Sequence, residues 1–315
     1  MIIVQRAIAT IAIILLALPI GTAPAQGLPV YVSASFTGRN NLYVEDLAPE
    51  EVEILQDGKP RRIEFMARDE LPAAYGIIFE RALLGEPGDE KRFGLSGAGA
   101  AAARNLAYEL VDKHLRRQVF WIGCYDKELA VALDFTSDAF QAHAAIQQLR
   151  GGRGPEESFL YGALFAALRR MNERHEKRRV LIVFLESVDP GTLDRIKPLK
   201  NILSLSNVEL FCVRFGARVT GRPGSVSPQM SDAALRELAA ATAGEAYSAA
   251  VYGDHPEDLS RRLYNHIRTL YTFGFLAEPA GESPARLSIR CTRPGCKVRA
   301  RQLVPAGPGA VLRHE

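Results

Sequence analysis

Between residues 72 and 277, short apolar runs alternate with helix-like stretches, and this rhythm constrains the fold more than any other feature. The runs are "AAYGIIFE" (73–80), "QVFWIGCY" (118–125), "ELAVALDF" (128–135), "RVLIVFLE" (179–186), "NVELFCVRF" (207–215) and "LYTFGFLA" (270–277). Helical patterns fall near 98–116, 138–149, 158–174, 191–205, 232–242 and 256–268. The central runs read as apolar without alternation, as strands covered on both faces do. Such an order predicts a doubly wound, mostly parallel, Rossmann-like α/β sheet. One pair departs from it. The runs 118–125 and 128–135 are joined through Tyr125-Asp126-Lys127, too closely for a parallel crossover. They predict a hairpin that puts an antiparallel strand at the sheet edge. Helix starts are signalled by Thr136 or Ser137 before Asp138, by Asp189-Pro190 and by Ser231-Asp232.

The flanks are β-rich. "PVYVSASF" (29–36) alternates, and "VEILQ" (52–56), Asp57-Gly58-Lys59-Pro60 and "RRIEF" (61–65) read as a hairpin around an Asp-Gly turn. Near the other end, "ARLSIRC" (285–291) and "CKVRARQLV" (296–304) predict a second hairpin. Neither segment can bury a core alone. Together they predict one small β domain, with the α/β domain inserted between them. The expected division is 1–25 as a signal peptide, 26–70 as the N-terminal β segment, 71–277 as the α/β domain, 278–305 as the C-terminal hairpin and 306–315 as a tail.

Residues 1–25 carry Arg6 and no acid, then the apolar "AIATIAIILLALPIG", then an A-x-A site in "APAQ". That is the pattern of an export signal; a retained N-terminal anchor is the alternative. The expectation is a secreted or periplasmic protein with no membrane span after cleavage. The formal net charge is only +3, too balanced for a nucleic-acid or membrane-surface binder. Of four cysteines, Cys291 and Cys296 bound the tight "CTRPGC" turn, where a disulfide is expected outside the cytosol. Cys124 and Cys212 end apolar runs and read as buried small hydrophobes.

Several phrases in combination resemble the von Willebrand factor A-like proteins, especially the secreted bacterial VWFA-related group. They are "NLYVEDLAPEEVEILQDGKPRRIEF", "YGIIFE", "LDFTSD", "SFLYGAL", "RRVLIVFLESVD", "LRELAAATAGEAY", "IRTLYTFGF" and "VRARQL", spanning about 29 to 304. The resemblance implies the same doubly wound fold. It also implies a site at the carboxyl ends of the strands, where a divalent cation engages an acidic group of a partner. Such a site begins with Asp-x-Ser-x-Ser, followed by a Thr from a second loop and an Asp after the fourth strand.

Laid on this sequence, the first acid matches Glu80, one methylene longer, and the two serines match Ala82 and Leu84. The Thr matches Ser158, and Gly162 stands where relatives commonly carry an acid. The last acid matches Glu186, with Asp189 close behind. Mg²⁺ demands six oxygens in tight octahedral geometry near ~2.1 Å. Two hydroxyl ligands are missing and two acids have the wrong length. No cofactor or metal is therefore expected, although weak Mg²⁺ or Ca²⁺ binding by Glu80, Glu186 and Asp189 stays open. Arg81 has two readings. Its guanidinium either replaces the cation's charge between Glu80 and Glu186 or points into solvent.

Other chemistries are weaker. "GLSGAGAAA" (94–102) suggests a dinucleotide loop or, around Ser96, a shortened nucleophile elbow, but no strand feeds it. It reads better as a small-residue helix start. No two of the six histidines are spaced i, i+4, so no zinc site is predicted. The basic cluster 169–179 reads as a solvated helix end or, more sharply, as a patch facing a partner. The function expected is a secreted, non-enzymatic protein-binding module with a degenerate site. A structural component of an envelope complex, acting through the β domain, is the alternative. A secreted hydrolase is the third reading.

Overall fold

The computed structural model describes residues 27–69, 71–85, 96–113, 118–152, 159–215, 226–249, 256–278 and 283–305. The leader-like segment 1–25, residues 306–315, Ser158 and residues 86–95 that precede Ser96 lie outside them. No helix among the described residues is long and apolar enough to cross a membrane.

The first four strands are β1 (Leu28–Thr37), β2 (Val52–Gln56), β3 (Lys59–Arg61) and β4 (Ile63–Arg68). Asp57 and Gly58 both hold positive φ, 50° and 79°, so the β2–β3 turn is the primed type that matches strand twist. The chain then enters the α/β part. Its elements are β5 (Ala73–Glu80), α1 (Arg81–Leu84), α2 (Ser96–Lys113), β6 (Gln118–Tyr125), β7 (Leu129–Thr136), α3 (Ala139–Gln148), α4 (Leu160–Asn172) and β8 (Arg178–Leu185). They continue with α5 (Pro190–Leu193), α6 (Ile196–Leu205), β9 (Glu209–Arg214), α7 (Pro228–Ala240), β10 (Ala246–Ser248) and α8 (Pro256–Thr269). The last strands are β11 (Tyr271–Ala277), β12 (Ala285–Cys291), β13 (Lys297–Ala300) and β14 (Leu303–Val304).

Six strands form the central sheet in the order β10-β9-β8-β5-β6-β7. All pairs are parallel except β6–β7, whose antiparallel register closes one edge. The residues of β5, β6, β8 and β9 are nearly all buried because helices cover both faces, whereas those of the edge strand β7 are half-buried or exposed. Tyr75, Ile77, Phe79, Ile182 and Phe184 pack under α2, α3 and α8. Ala74, Ile78, Trp121, Leu181 and Val183 pack under α4, α6 and α7. Gly76 is required here: a Cβ would lie 2.5 Å from the Trp121 indole nitrogen, which instead donates to Met171 Sδ. At the amino end of the sheet, fully buried Arg178 is closed by Glu209, Asp69 and the carbonyl of Ile267.

The flanks build two further sheets, ordered β13-β1-β11-β4 and β14-β12-β2-β3, around one shared core. β12 pairs antiparallel with β2 along five residues, so the two ends of the chain are joined in one ladder. Arg301 ties this part to the α/β part. Its buried guanidinium donates to Tyr31 O at 2.7 Å and to Leu205 O and Ser206 O at the C-terminal end of α6. The carbonyl end of a helix favours a cation, while burial pushes the Arg301 pKa down to about 10.

Five expectations are corrected. The run 271–277 is not a strand of the parallel sheet; β11 pairs antiparallel with β1 and β4. The physical sign is its alternation. Tyr271, Phe273, Phe275 and Ala277 enter the flanking core, whereas Leu276 between them is half exposed. Next, the run 296–304 pairs with β12 only at its end, through the two residues of β14, while β13 belongs to the other sheet. The "CTRPGC" turn therefore crosses between sheets, and no Cys291–Cys296 disulfide is present; all four cysteines are free. Burial, and then the neighbouring Cys291 thiol, push the Cys296 thiol pKa up to about 12. Finally, the helix expected to open at Ser231-Asp232 begins a turn earlier, capped by Ser227 before Pro228, and the α3 cap is Asp138 itself.

Candidate functional site

β5 delivers Glu80 to the carboxyl edge of the sheet, in register with Tyr125 on β6. Among the described residues no exposed ligand loop follows directly. The chain turns at once into α1, and Ala82, Leu83 and Leu84 are buried at 8%, 3% and 7% exposure. Leu83 and Leu84 join the core beneath α2. Fully burying a leucine is worth about 1.5–3 kcal/mol. Apolar residues at the hydroxyl positions thus pull this turn into the core and away from any ligand.

The Glu80 carboxylate is fully buried. Its Oε2 accepts from the backbone N–H of Glu186 at 2.6 Å and of Ser187 at 3.4 Å. The extra methylene lets it reach across to the loop after β8 and tie the two strand ends together.

Asp189 is used in the same way. Oδ1 accepts from Thr192 N at 2.8 Å, capping α5. Oδ2 accepts from Thr192 Oγ1 at 2.6 Å and from Leu160 N, at the start of α4, at 2.9 Å. Thr192 Oγ1 accepts in turn from Tyr161 N at 2.8 Å. Asp189 and Thr192 therefore satisfy three N–H groups at helix starts, where helix geometry leaves them without partners. Ser231 accepts from Val188 N, in the loop before α5, at 3.2 Å.

Glu186 differs. It is half-buried, and its carboxylate makes no hydrogen bond or ion pair with another described residue. Burial raises its pKa, opposed by the charge of Arg214.

Neither reading of Arg81 describes its position. The guanidinium lies 3.5 Å from Asp126 Oδ2 and donates to Arg150 O, not to Glu80 or Glu186. The cation that acts on Glu186 is Arg214, at the end of β9, held by a fork of bonds to Asp232 at 2.6 and 3.1 Å and by Ser248 at 3.0 Å. Sequence reasoning passed over Arg214. Its signal was the same as that of Glu80: a charge closing an otherwise apolar strand.

Tyr125 completes the group. Its hydroxyl is buried and has no hydrogen-bond partner among the described residues; burial first, and then the charges of Glu80 and Asp189, raise its pKa. Among the described residues no three His, Cys, Asp or Glu side chains converge as a set that could hold a metal ion.

No protein-family model matches the chain. No curated protein matches it. Solved structures do, and von Willebrand factor A proteins are among them. The von Willebrand factor type A protein from Catenulispora acidiphila is 11% identical, with 90% of this chain and 75% of that one covered and a TM-score of 0.45. The conserved hypothetical protein BatB from Bacteroides thetaiotaomicron is 14% identical, covering 62% and 98%, at 0.41. Proximal thread matrix protein 1 from the mussel byssus, with a zinc-occupied MIDAS motif, is 11% identical, covering 66% and 48%, at 0.47. At these distances the likenesses carry no argument about what this chain binds, which rests on its own geometry.

Proposed function

We propose that this protein is a non-enzymatic protein-binding module of the von Willebrand A type whose strand-end site works without a bound cation. One observation carries the reading: of the three strand-end acids, Glu80 at the first ligand position and Asp189 beside the last are spent on backbone N–H groups. Glu80 holds Glu186 N, and Asp189 holds Leu160 N and Thr192 N. Mg²⁺ would have to take these oxygens away from buried donors, each costing about 1–3 kcal/mol when left unsatisfied. Glu186 is the acid left over. Partner recognition then has the opposite polarity to a cation-bridged site: Glu186 receives a basic group of the partner. The one hydroxyl–carboxylate pair in this set, Thr192 on Asp189, is fully buried at Thr192, which supports a binding role. Export to the periplasm or beyond belongs to the same proposal and is supported by the leader-like residues 1–25.

The alternative, an envelope scaffold that adds strands to its β domain, has less support. Its sheet edges are β13 with Lys297 and Arg299, β4 with Glu64 and Arg68, β3 with Lys59, Pro60 and Arg61, and the two-residue β14. Charge, proline and brevity are the devices that block strand addition.

Capture of partners from an envelope extract, with and without EDTA, tests the proposal. We expect capture to be chelator-insensitive and to fall at least about tenfold in Glu186→Gln, the loss of a charge-assisted contact. Capture that requires Mg²⁺ would sink the cation-free site.

A further inference from the structure

A second concave surface lies where the flanking β part meets the α/β part. It is a cleft of about 430 Å³ lined by residues of both. Ser35, Thr37, Asn41 and Tyr43 come from β1 and the turn after it; Lys297 and Arg299 come from β13. Arg262 and His266 come from α8, and Glu245 from the loop before β10.

The local structure explains why polar groups gather here. β1 alternates, so Val32, Ala34 and Phe36 enter the flanking core while Ser35 and Thr37 turn toward the α/β part. Opposite them in register stand Arg299 and Lys297 on β13. Two adjacent strands thus present two hydroxyls and two cations on one face. The floor is neutral. The Tyr43 ring packs on buried His266 with centroids 4.8 Å apart, and His266 Nδ1 bonds to the Tyr247 hydroxyl at 3.0 Å.

Counting partners separates what is spent from what is available. Arg299 is committed to Glu245 and to Gly244 O, so these two charges cancel. Arg262 and Lys297 make no ion pair with a described residue, and the side chains of Ser35, Thr37 and Asn41 make no hydrogen bond with one. The surplus is two positive charges and several donors. The cleft size falls within the range of about 300–1,000 Å³ that small-molecule sites occupy. In a concave, partly desolvated place such charges act more strongly than on an open surface.

We infer that this cleft binds a small organic dianion, a dicarboxylate or a phosphomonoester, with one anionic oxygen group on Lys297 and the other on Arg262. The guanidinium fork suits a planar carboxylate or a phosphate face, and the lysine ammonium supplies a compact charge. Ser35, Thr37 and Asn41 donate to the remaining oxygens. Because the cleft is built from both parts of the molecule, the ligand also fastens them together. The inference does not rest on the protein-binding role of the strand ends.

The test uses the whole mature chain, with succinate and glycerol 3-phosphate as probes and acetate as a monoanion at equal ionic strength. At tenfold excess over Kd, a dianion should raise Tm by about 3 °C, and calorimetry should give one site. Which of the two probes binds distinguishes dicarboxylate from phosphate chemistry. The pair Lys297→Gln with Arg262→Gln should keep the unliganded Tm and lose the shift. Arg62→Gln, an exposed cation on the β3–β4 connection, should keep the shift. The inference fails if neither dianion shifts Tm or gives heat, if acetate matches them, or if the double variant binds as the parent does.

Discussion

The strand-end site and the inter-part cleft are both lined by polar side chains, yet they keep opposite accounts. At the strand ends Glu80, Asp189, Thr192 and Ser231 are all bonded to backbone N–H groups. In the cleft Ser35, Thr37, Asn41, Arg262 and Lys297 have no such commitments among the described residues. The first set holds loops in place, and the second is free to bind. Where buried polar groups must be satisfied, the informative quantity is the number of donors and acceptors left over, not the number present.

Breaking the strand-end side should have the largest effect. Glu80→Ala orphans two N–H groups and opens a cavity, with relief only from removing a buried carboxylate. We expect a loss of roughly 3 kcal/mol in denaturant unfolding. Glu80→Gln keeps an acceptor and should lose less than half as much. Equal losses would mean that the charge, rather than the acceptor, holds the loop.

Asp189→Ala comes next. It removes the α5 cap and the acceptor for Leu160 N, for an expected loss of about 2 kcal/mol. Asp189→Asn should recover most of it. A loss below about 0.5 kcal/mol, the level of an ordinary surface substitution, would contradict the structural role given to this acid.

The cleft side responds to pH. Burial, helped by the positive charge of Arg299, pushes the His266 pKa down to about 3. The unfolded chain takes up this proton near pH 6.5. Stability from this group is therefore full above about 6.5 and declines as pH falls toward 3, because the unfolded state binds the proton first. Tm should drop between pH 6.5 and 5, above the range where ordinary carboxylates titrate, and His266→Gln should flatten that drop. An unchanged slope in the variant would exclude His266 as its source.

Much of the fold could be read from residues. The non-alternating runs announced β5, β6, β8 and β9, and the three-residue link at Asp126 announced the antiparallel edge of β7. β11 was legible too, but as an alternating strand: Tyr271, Phe273 and Phe275 point one way and Thr272 and Gly274 the other. Treating 270–277 as one more apolar run hid that period of two. β10 has only three residues and gives no periodic signal. The cysteine turn misled for another reason. Local spacing favours a closed loop, whereas the pairing of β12 with β2 and of β13 with β1 carries the two strands into separate sheets.

At the site, residue identities were legible and their commitments were not. The missing hydroxyls at Ala82 and Leu84 could be seen in the sequence, because a side chain without oxygen cannot be a ligand in any fold. That Glu80 reaches Glu186 N, that Asp189 anchors α4 from 29 residues away, and that Arg214 rather than Arg81 faces Glu186 are facts of three-dimensional proximity. The sequence by itself determined the layers of the fold and the chemical types available at the strand ends, since both follow from local periodicity and side-chain composition. Only the tertiary structure decided which polar atoms are spent and which remain, because a hydrogen bond between distant segments is settled by how the elements pack and not by either segment alone.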